Sequence, residues 1–362
     1  MTNLKIKKYH TYPVKVPLRI KPKASTGEIP YGNFVVLKID TNIDISGNSY
    51  VFTFREDMLK PTADLINNVC EGIIDEVIDP NTQIEKLRNR YTLLDKFGLL
   101  GQAFAGIDMA LWDIFSKKSN LPLCRALGYE LKPLKTYNSC GLWIQDTNNL
   151  AKEAEELVEN GNFKAIKLRL GRENFKDDIK AVESVLNVID ENTELMVDFN
   201  QSLNVNEAIK RCIELDNYNL TWIEEPIKHD NYLGCANISA QIATPIQIGE
   251  NFLNVFEMKK SIDALSSNFV MPDVQRIGGV SGWLKASILA EASDLDISSH
   301  LFPEISSHLL CASPTKHWLE YVDWANPILK NPVKVQNGFY TPNNVPGNGI
   351  DIDYQSLNDY LI

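Results

Sequence analysis

Three short apolar runs, ELMVDFNQ, LTWIEEPI and IQIGEN, end in carboxylates, and Asp198, Glu224 and Glu250 stand 26 residues apart in both intervals. A strand of about five residues, a helix of ten to fifteen and two short loops add up to roughly that period. Equal spacing therefore predicts three successive β/α units, each presenting one acid at the C-terminal end of a strand. In a parallel barrel those ends converge on one face, where the active sites of such folds lie. Three acids driven together repel, and burying them unpaired costs several kcal/mol. A hard divalent cation with oxygen ligands removes that cost, so the trio reads as a metal site for Mg²⁺. The competing reading is three acids that cap helix N-termini.

Other predicted strand ends carry complementary chemistry. One ends in Lys167-Leu168-Arg169, and period-two alternation puts Lys167 and Arg169 on one face. The next ends of interest are Asp273 in MPD, His300 in SSH and Glu320 in HWLE. Asp273 and His300 fall on neighbouring strands, so the carboxylate can fix the imidazole tautomer and raise its basicity. A cation and Lys167 would hold a substrate carboxylate while His300 removes the adjacent α-proton, giving a metal-stabilised enediolate. Glu320, if burial keeps it protonated, would donate to the charge that develops. His10, His229, His308 and His317 have no comparable setting and read as structural or exposed.

The elements that must position these groups are legible as a rhythm. Strand-like runs fall at 134–139, 164–169, 194–198, 220–224, 245–249, 268–272, 295–299 and 318–322, with helical stretches such as LAKEAEELVEN between them. Eight such units predict an α/β fold, a (β/α)8 barrel over residues 131–322. Residues 1–130 read as an α+β capping domain, with strands over 6–16, 34–40 and 49–54 and helices over 63–78, 84–94 and 105–117. The last helix is expected to cross to the barrel. Residues 323–362 are expected to return to the capping domain, and GGVSG (278–282) reads as a tight β/α turn. A Pro/Gly-punctuated loop over 19–31 carries Arg19, Lys21, Lys23 and Thr26, and loops of this length are usually mobile or functional.

Composition bounds the partners. With 36 Lys and Arg against 47 Asp and Glu, the net charge of -11 argues against nucleic acid, whose phosphates need a basic surface. It leaves room for a small carboxylate substrate met by local cations. Six scattered cysteines without a CxxC pair read as reduced, cytoplasmic thiols. The N-terminal stretch shows no secretory signal, and no apolar run approaches the ~20 residues of a membrane span.

At this point the chain resembles a known family. FKAIKLRLG, VDFNQSL, TWIEEPIKHD, GENFL, MPDVQRIGGVSGW, SSHLFPEISSHLL and HWLE, in that order, are similar to strand-end motifs of the enolase superfamily, mandelate racemase subgroup. The resemblance implies that Asp198, Glu224 and Glu250 ligate Mg²⁺ and that the Asp273–His300 dyad acts on one face of the α-carbon. It further implies that Lys167 neutralises the carboxylate, that Glu320 is the electrophilic acid, and that Ser139 and Asn200 are polar contacts. Loop 19–31, with Phe52 and Phe54, corresponds to the region that caps the substrate. The family's assemblies imply a homo-oligomer, an octamer or a dimer.

One position departs from the family pattern. Two-base members carry KxK at the end of the second barrel strand, and here the second lysine is Arg169. Deprotonating a guanidinium near neutrality costs on the order of 8 kcal/mol. The basic loop is also more polar than a pocket for a phenyl ring, whereas Phe52 and Phe54 suit an aromatic substrate. Two enzymatic readings follow: a mandelate racemase-like racemase or epimerase of a 2-hydroxycarboxylate, and an acid-sugar dehydratase with His300–Asp273 as its sole base. A non-catalytic Mg²⁺-binding scaffold is the reading from another class.

Overall fold

A computed structural model describes residues 4–24, 27–94 and 96–362. Thr26, one of the polar loop residues named above, lies outside them. The capping domain opens with strand β1 (Ile6–Pro17), a two-residue hairpin of β2 (Lys23–Ala24) and β3 (Gly27–Glu28), then β4 (Tyr31–Thr41) and β5 (Ser46–Phe52). β1, β4 and β5 form an antiparallel sheet with β4 in the centre, which explains why β4 buries nearly every residue. The helix Leu59–Glu71 turns Leu59, Ala63, Ile66 and Cys70 to one face against it. Both predicted helices of this region lie earlier than periodicity placed them. The first ends at Glu71, where the chain turns through Asp75 at positive φ and pairs Val77 with Lys5. The second, Pro80–Arg90, starts where Asp79 accepts the Asn81 N–H and Pro80 occupies the first turn.

The helix Leu99–Lys118 lies flush on β5 because two glycines remove side chains from the contact. A Cβ on Gly47 would sit 2.1 Å from the Ala110 carbonyl oxygen, and one on Gly106 2.7 Å from Val51. The same helix reaches the barrel, as expected. Asp108 accepts hydrogen bonds from the Ser281 N–H at 2.9 Å and its hydroxyl at 2.6 Å. Ser281 belongs to the GGVSG stretch, which is the junction between the helices Val274–Ile277 and Gly279–Ala292 rather than a β/α turn. Gly278 and Gly279 make that junction at φ 104° and 78°.

Strands β6 (Leu134–Asn138), β7 (Ala165–Arg169), β8 (Glu194–Asp198), β9 (Ile223–Glu224), β10 (Ile246–Ile248), β11 (Phe269–Val270), β12 (Asp296–Ile297) and β13 (Leu319–Tyr321) match the eight predicted runs. They are parallel neighbours in the order β12-β11-β10-β9-β8-β7-β6-β13. Backbone bonds from Ile297 to Thr315 and from Ser299 to Trp318 bring the two ends of this sheet together, so the eight strands curl into a (β/α)8 barrel. Buried Tyr137, Ala165, Met196, Trp222 and Trp318 pack one cluster of its interior. Outer helices follow the amphipathic rule: Thr147–Glu159 buries Leu150, Ala154 and Leu157 and is capped by Asp146. β14 (Phe339–Tyr340) adds antiparallel to β6. The C-terminal segment runs against the capping domain, where Asn348 bonds Asn48, Met109 and Asp113 and Leu361 bridges to Val14. No helix among the described residues is long and apolar enough to cross a membrane.

Candidate active site

Strand register sets the polar groups at one level. Arg169 is paired with Asp198 across β7 and β8, Asp198 with Glu224 across β8 and β9, and Asp273 with His300 in a parallel bridge. All lie at C-terminal strand ends, and most are buried: Lys167, Asp198, Glu320 and Asp273 are each 1% exposed and Glu224 is 0%.

Lys167 is the hub of the acids. Its Nζ lies 2.5 Å from Glu224 Oε1, 3.1 Å from Glu320 Oε1 and 3.6 Å from Asp198 Oδ2. Burial disfavours the ammonium, but these carboxylates outweigh it and hold the lysine protonated. Glu224 also accepts the Trp222 indole N–H at 3.0 Å. Burial, then Asp198, Glu320 and Glu250, raise Glu224 against the pull of Lys167. A fourth acid, Glu225, was not read from the sequence. It is 1% exposed, accepts from Asn251 Nδ2 at 2.7 Å and Gln201 Nε2 at 3.0 Å, and is raised by burial and by Glu250 and Asp198. Its adjacency to Glu224 in EEP was the available signal.

No three His, Cys, Asp or Glu side chains among the described residues are gathered as a ready metal cage. Lys167 sits among the acids instead. The donors nevertheless fit a hard cation: Asp198, Glu224 and Glu250 offer oxygens from three adjacent strand ends, in a buried surplus of negative charge.

The predicted dyad is formed. His300 Nδ1 lies 2.8 Å from Asp273 Oδ2, and the other aspartate oxygen accepts the backbone N–H groups of Gln275 at 2.7 Å and Arg276 at 3.1 Å. Nδ1 therefore carries the proton toward Asp273 and Nε2 is left to face Glu250 Oε2, 3.4 Å away. Burial lowers the imidazole, but Glu250, the Asp273 hydrogen bond and Glu320 outweigh it and push His300 up to about 9. Burial raises Glu320, but Lys167, His300 and the Leu301 N–H at 2.8 Å outweigh it and draw its carboxyl down, which favours the ionised form in this arrangement.

Arg169 is spoken for on nearly every side. Its Nη2 donates to Ser139 Oγ at 2.7 Å, and its Nη1 to the carbonyls of Ser139 at 3.3 Å, Gly141 at 3.2 Å and Lys167 at 3.3 Å. Its guanidinium lies 3.8 Å from the centre of the Trp143 ring. Only Nε has no hydrogen-bond partner, and it faces Asp198 Oδ2 at 3.9 Å.

Lys167, Arg169, Asp198 and Glu320 floor a cavity of about 380 Å³, which Ser139, Asn200, Glu250 and His300 also line. Asn200 is held by Asp198 through its backbone N–H at 2.7 Å and its Nδ2 at 3.0 Å. The capping loop contributes Pro22, Ala24, Gly27, Glu28 and Ile29 to the wall, not its cations. Arg19, Lys21 and Lys23 are not brought into that wall: Lys21 and Lys23 are exposed, and Arg19 pairs with Asp323 at 3.1 Å. Phe54 lines the cavity, while Phe52 lies beneath it at 4.3 Å between ring centres and is 1% exposed. Arg276, with its guanidinium 4.9 Å from the Phe54 ring and bonded to Asn251, lines the cavity and was also missed.

Comparison with known proteins agrees with this geometry. Residues 149–356 match the family described as enolase C-terminal domain-like, and residues 8–128 the mandelate racemase / muconate lactonizing enzyme N-terminal domain. L-talarate/galactarate dehydratase of Salmonella typhimurium is 32% identical over 275 residues, 75% of this chain and 68% of that protein. An enolase from the alpha proteobacterium bal199, solved with bound magnesium, superposes with a TM-score of 0.96 at 35% identity over 99% of this chain and 100% of its own. An enolase from Bradyrhizobium, solved with magnesium and mandelic acid, gives 0.95 at 31% identity over 100% and 99%.

Proposed function

The chain belongs to the mandelate racemase / muconate lactonizing enzyme family of the enolase superfamily, and from that premise we propose that it is a magnesium-dependent acid-sugar dehydratase working with one base. Asp198, Glu224 and Glu250 are the residues that would hold the cation. Bound there, it neutralises the charge that grows on a substrate carboxylate as the α-proton leaves. Lys167 adds a positive charge to the same side of the substrate. In its neutral form His300 takes the α-proton on Nε2, with Asp273 holding its tautomer, and a cation offsetting the charge of Glu250 would favour that form. The Cβ–OH bond then breaks, the hydroxide leaves with the proton returned by His300 as water, and the enol product becomes a 2-keto-3-deoxy acid. Ionised Glu320 is read as the group that pins Lys167 and the Leu301 backbone.

The observation that carries the choice of dehydration is Arg169. A second base is needed to deliver a proton to the opposite face, and this guanidinium is both too weak a base and tied to Ser139, Gly141 and Trp143. The L-talarate/galactarate dehydratase relative supports the same substrate class. Racemisation of an aryl hydroxy acid is the second reading. It is favoured by the apolar walls Phe54, Trp143 and Trp324 and by the Bradyrhizobium relative with mandelic acid.

In this reading residues 1–130 cap the site, 131–322 carry it and 323–362 tie the two together, in a cytoplasmic homo-oligomer. All six cysteines are buried free thiols, which suits a reducing compartment. A panel of aldonic, aldaric and aryl hydroxy acids with Mg²⁺ tests the proposal. It expects a 2-keto-3-deoxy product from at least one acid sugar. Inversion of a hydroxy acid with no loss of water would contradict it.

A further inference from the structure

We propose that Gln275 is a positioning residue that locks the capping domain to the base, so that covering the substrate and aiming His300 are one event; this rests on the reading of His300–Asp273 as the base. Gln275 is 1% exposed and follows Asp273 by two residues. Its Oε1 accepts the Phe52 N–H at 2.7 Å and its Nε2 donates to the Phe52 carbonyl at 3.0 Å. A primary amide offers the same donor and acceptor as a peptide group. Gln275 thus completes the outer edge of β5, which is an edge strand of its sheet, as one residue of a neighbouring strand would. Its own backbone N–H, beside that of Arg276, bonds Asp273 Oδ1 at 2.7 Å. One residue therefore grips both the lid strand and the carboxylate that orients the base.

A second contact on the same strand reaches the other half of the pair. Tyr50 and Phe52 are two apart on β5 and share a face. The Tyr50 hydroxyl donates to Glu304 Oε2 at 2.8 Å, and its ring stacks on Phe302 at 5.0 Å. Leu301 and Phe302 directly follow His300 and both take positive φ, 49° and 48°, a conformation that side chains disfavour and that packing must maintain. Phe54, two residues beyond Phe52, is the ring that lines the cavity. Strand β5 thereby touches the segment after Asp273, the segment after His300 and the roof over the substrate.

Two substitutions separate positioning from stability alone. Gln275→Met keeps the volume and removes both bonds to Phe52. Gln275→Glu restores both when protonated, because the acid accepts the N–H and donates to the carbonyl, and loses the donor when ionised. The measurement is α-proton exchange in deuterated water with an acid that the wild type turns over, from pH 6 to 9, with thermal unfolding as a fold control. Gln275→Met should lower kcat by roughly 10- to 100-fold with KM within about threefold. For Gln275→Glu, the ratio of its kcat to that of the wild type should be at least about fivefold higher at pH 6 than at pH 9. A folded Gln275→Met with kcat within about twofold of wild type overturns the proposal, as does a Gln275→Glu ratio that is flat with pH. If Gln275→Met does not fold, the Gln275→Glu ratio decides. Absence of exchange by the wild type on every acid overturns the reading of the base itself, and this inference with it.

Discussion

Arg169 Nη2 donates a 2.7 Å hydrogen bond to Ser139 Oγ, and the guanidinium stacks on Trp143. This pairing turns the residue that interrupts the family's two-lysine pattern into part of the cavity wall. Lysine at that position keeps a charge but gives up the fork and the stack. Arg169→Lys should therefore lower kcat on the native substrate by roughly tenfold. The freed amine should also bring measurable α-proton exchange from the configuration that the wild type ignores. Exchange followed by NMR for each enantiomer checks both parts.

Metal removal should abolish turnover, because the acids around Lys167 carry the charge surplus that a divalent cation offsets. Glu224→Gln should weaken Mg²⁺ binding by at least roughly 100-fold in titration calorimetry and leave the circular dichroism spectrum intact. Full activity in excess chelator would contradict the metal assignment.

The capping domain should discriminate through its inward residues. Replacing Arg19, Lys21 or Lys23 by Ala should leave KM within about twofold, since each points to solvent or to Asp323. Phe54→Ala should raise KM by roughly tenfold through lost apolar contact. Steady-state kinetics on one acid substrate compares the four.

Stability should fall on the acid side through buried histidines. Burial lowers His308 to about 4, and its Nδ1 has no hydrogen-bond partner. The unfolded chain takes up the proton near pH ~6.5 while the native one does not. The contribution is therefore complete above about pH 6.5 and is lost as pH falls toward the native value. From pH 7 to 5 this site alone should cost about 2 kcal/mol. His317, also lowered to about 4 by burial, acts in the same direction. Urea unfolding of wild type and His308→Gln at both pH values checks it: the variant should lose less stability on acidification.

Much of the fold was legible because parallel strands and amphipathic helices repeat, and a repeat exposes its own register. The strand-end places of Asp198, Glu224, Asp273 and His300 follow from that repeat. What escaped were contacts that no period encodes. Gln275 meets Phe52 across 223 residues of chain, and nothing near either position marks the pairing. Glu225 was hidden by Glu224 beside it, which took the ligand role in the reading. Charge alone does not place the loop cations, because the alternation through buried Pro22 leaves Lys21 and Lys23 exposed. Burial alone would favour a protonated Glu320, and what opposes it, Lys167 Nζ 3.1 Å away, is a contact that strand spacing does not reveal.

The one-base account is tested most directly by α-proton exchange in deuterated water, measured separately on both configurations of an acid that the enzyme turns over. His300 accepts a proton from one face, while an arginine base opposite would be slower by roughly six orders of magnitude. The account predicts exchange from one configuration only, and its loss in His300→Asn. Comparable wild-type exchange from both configurations would contradict it and restore racemisation as the function.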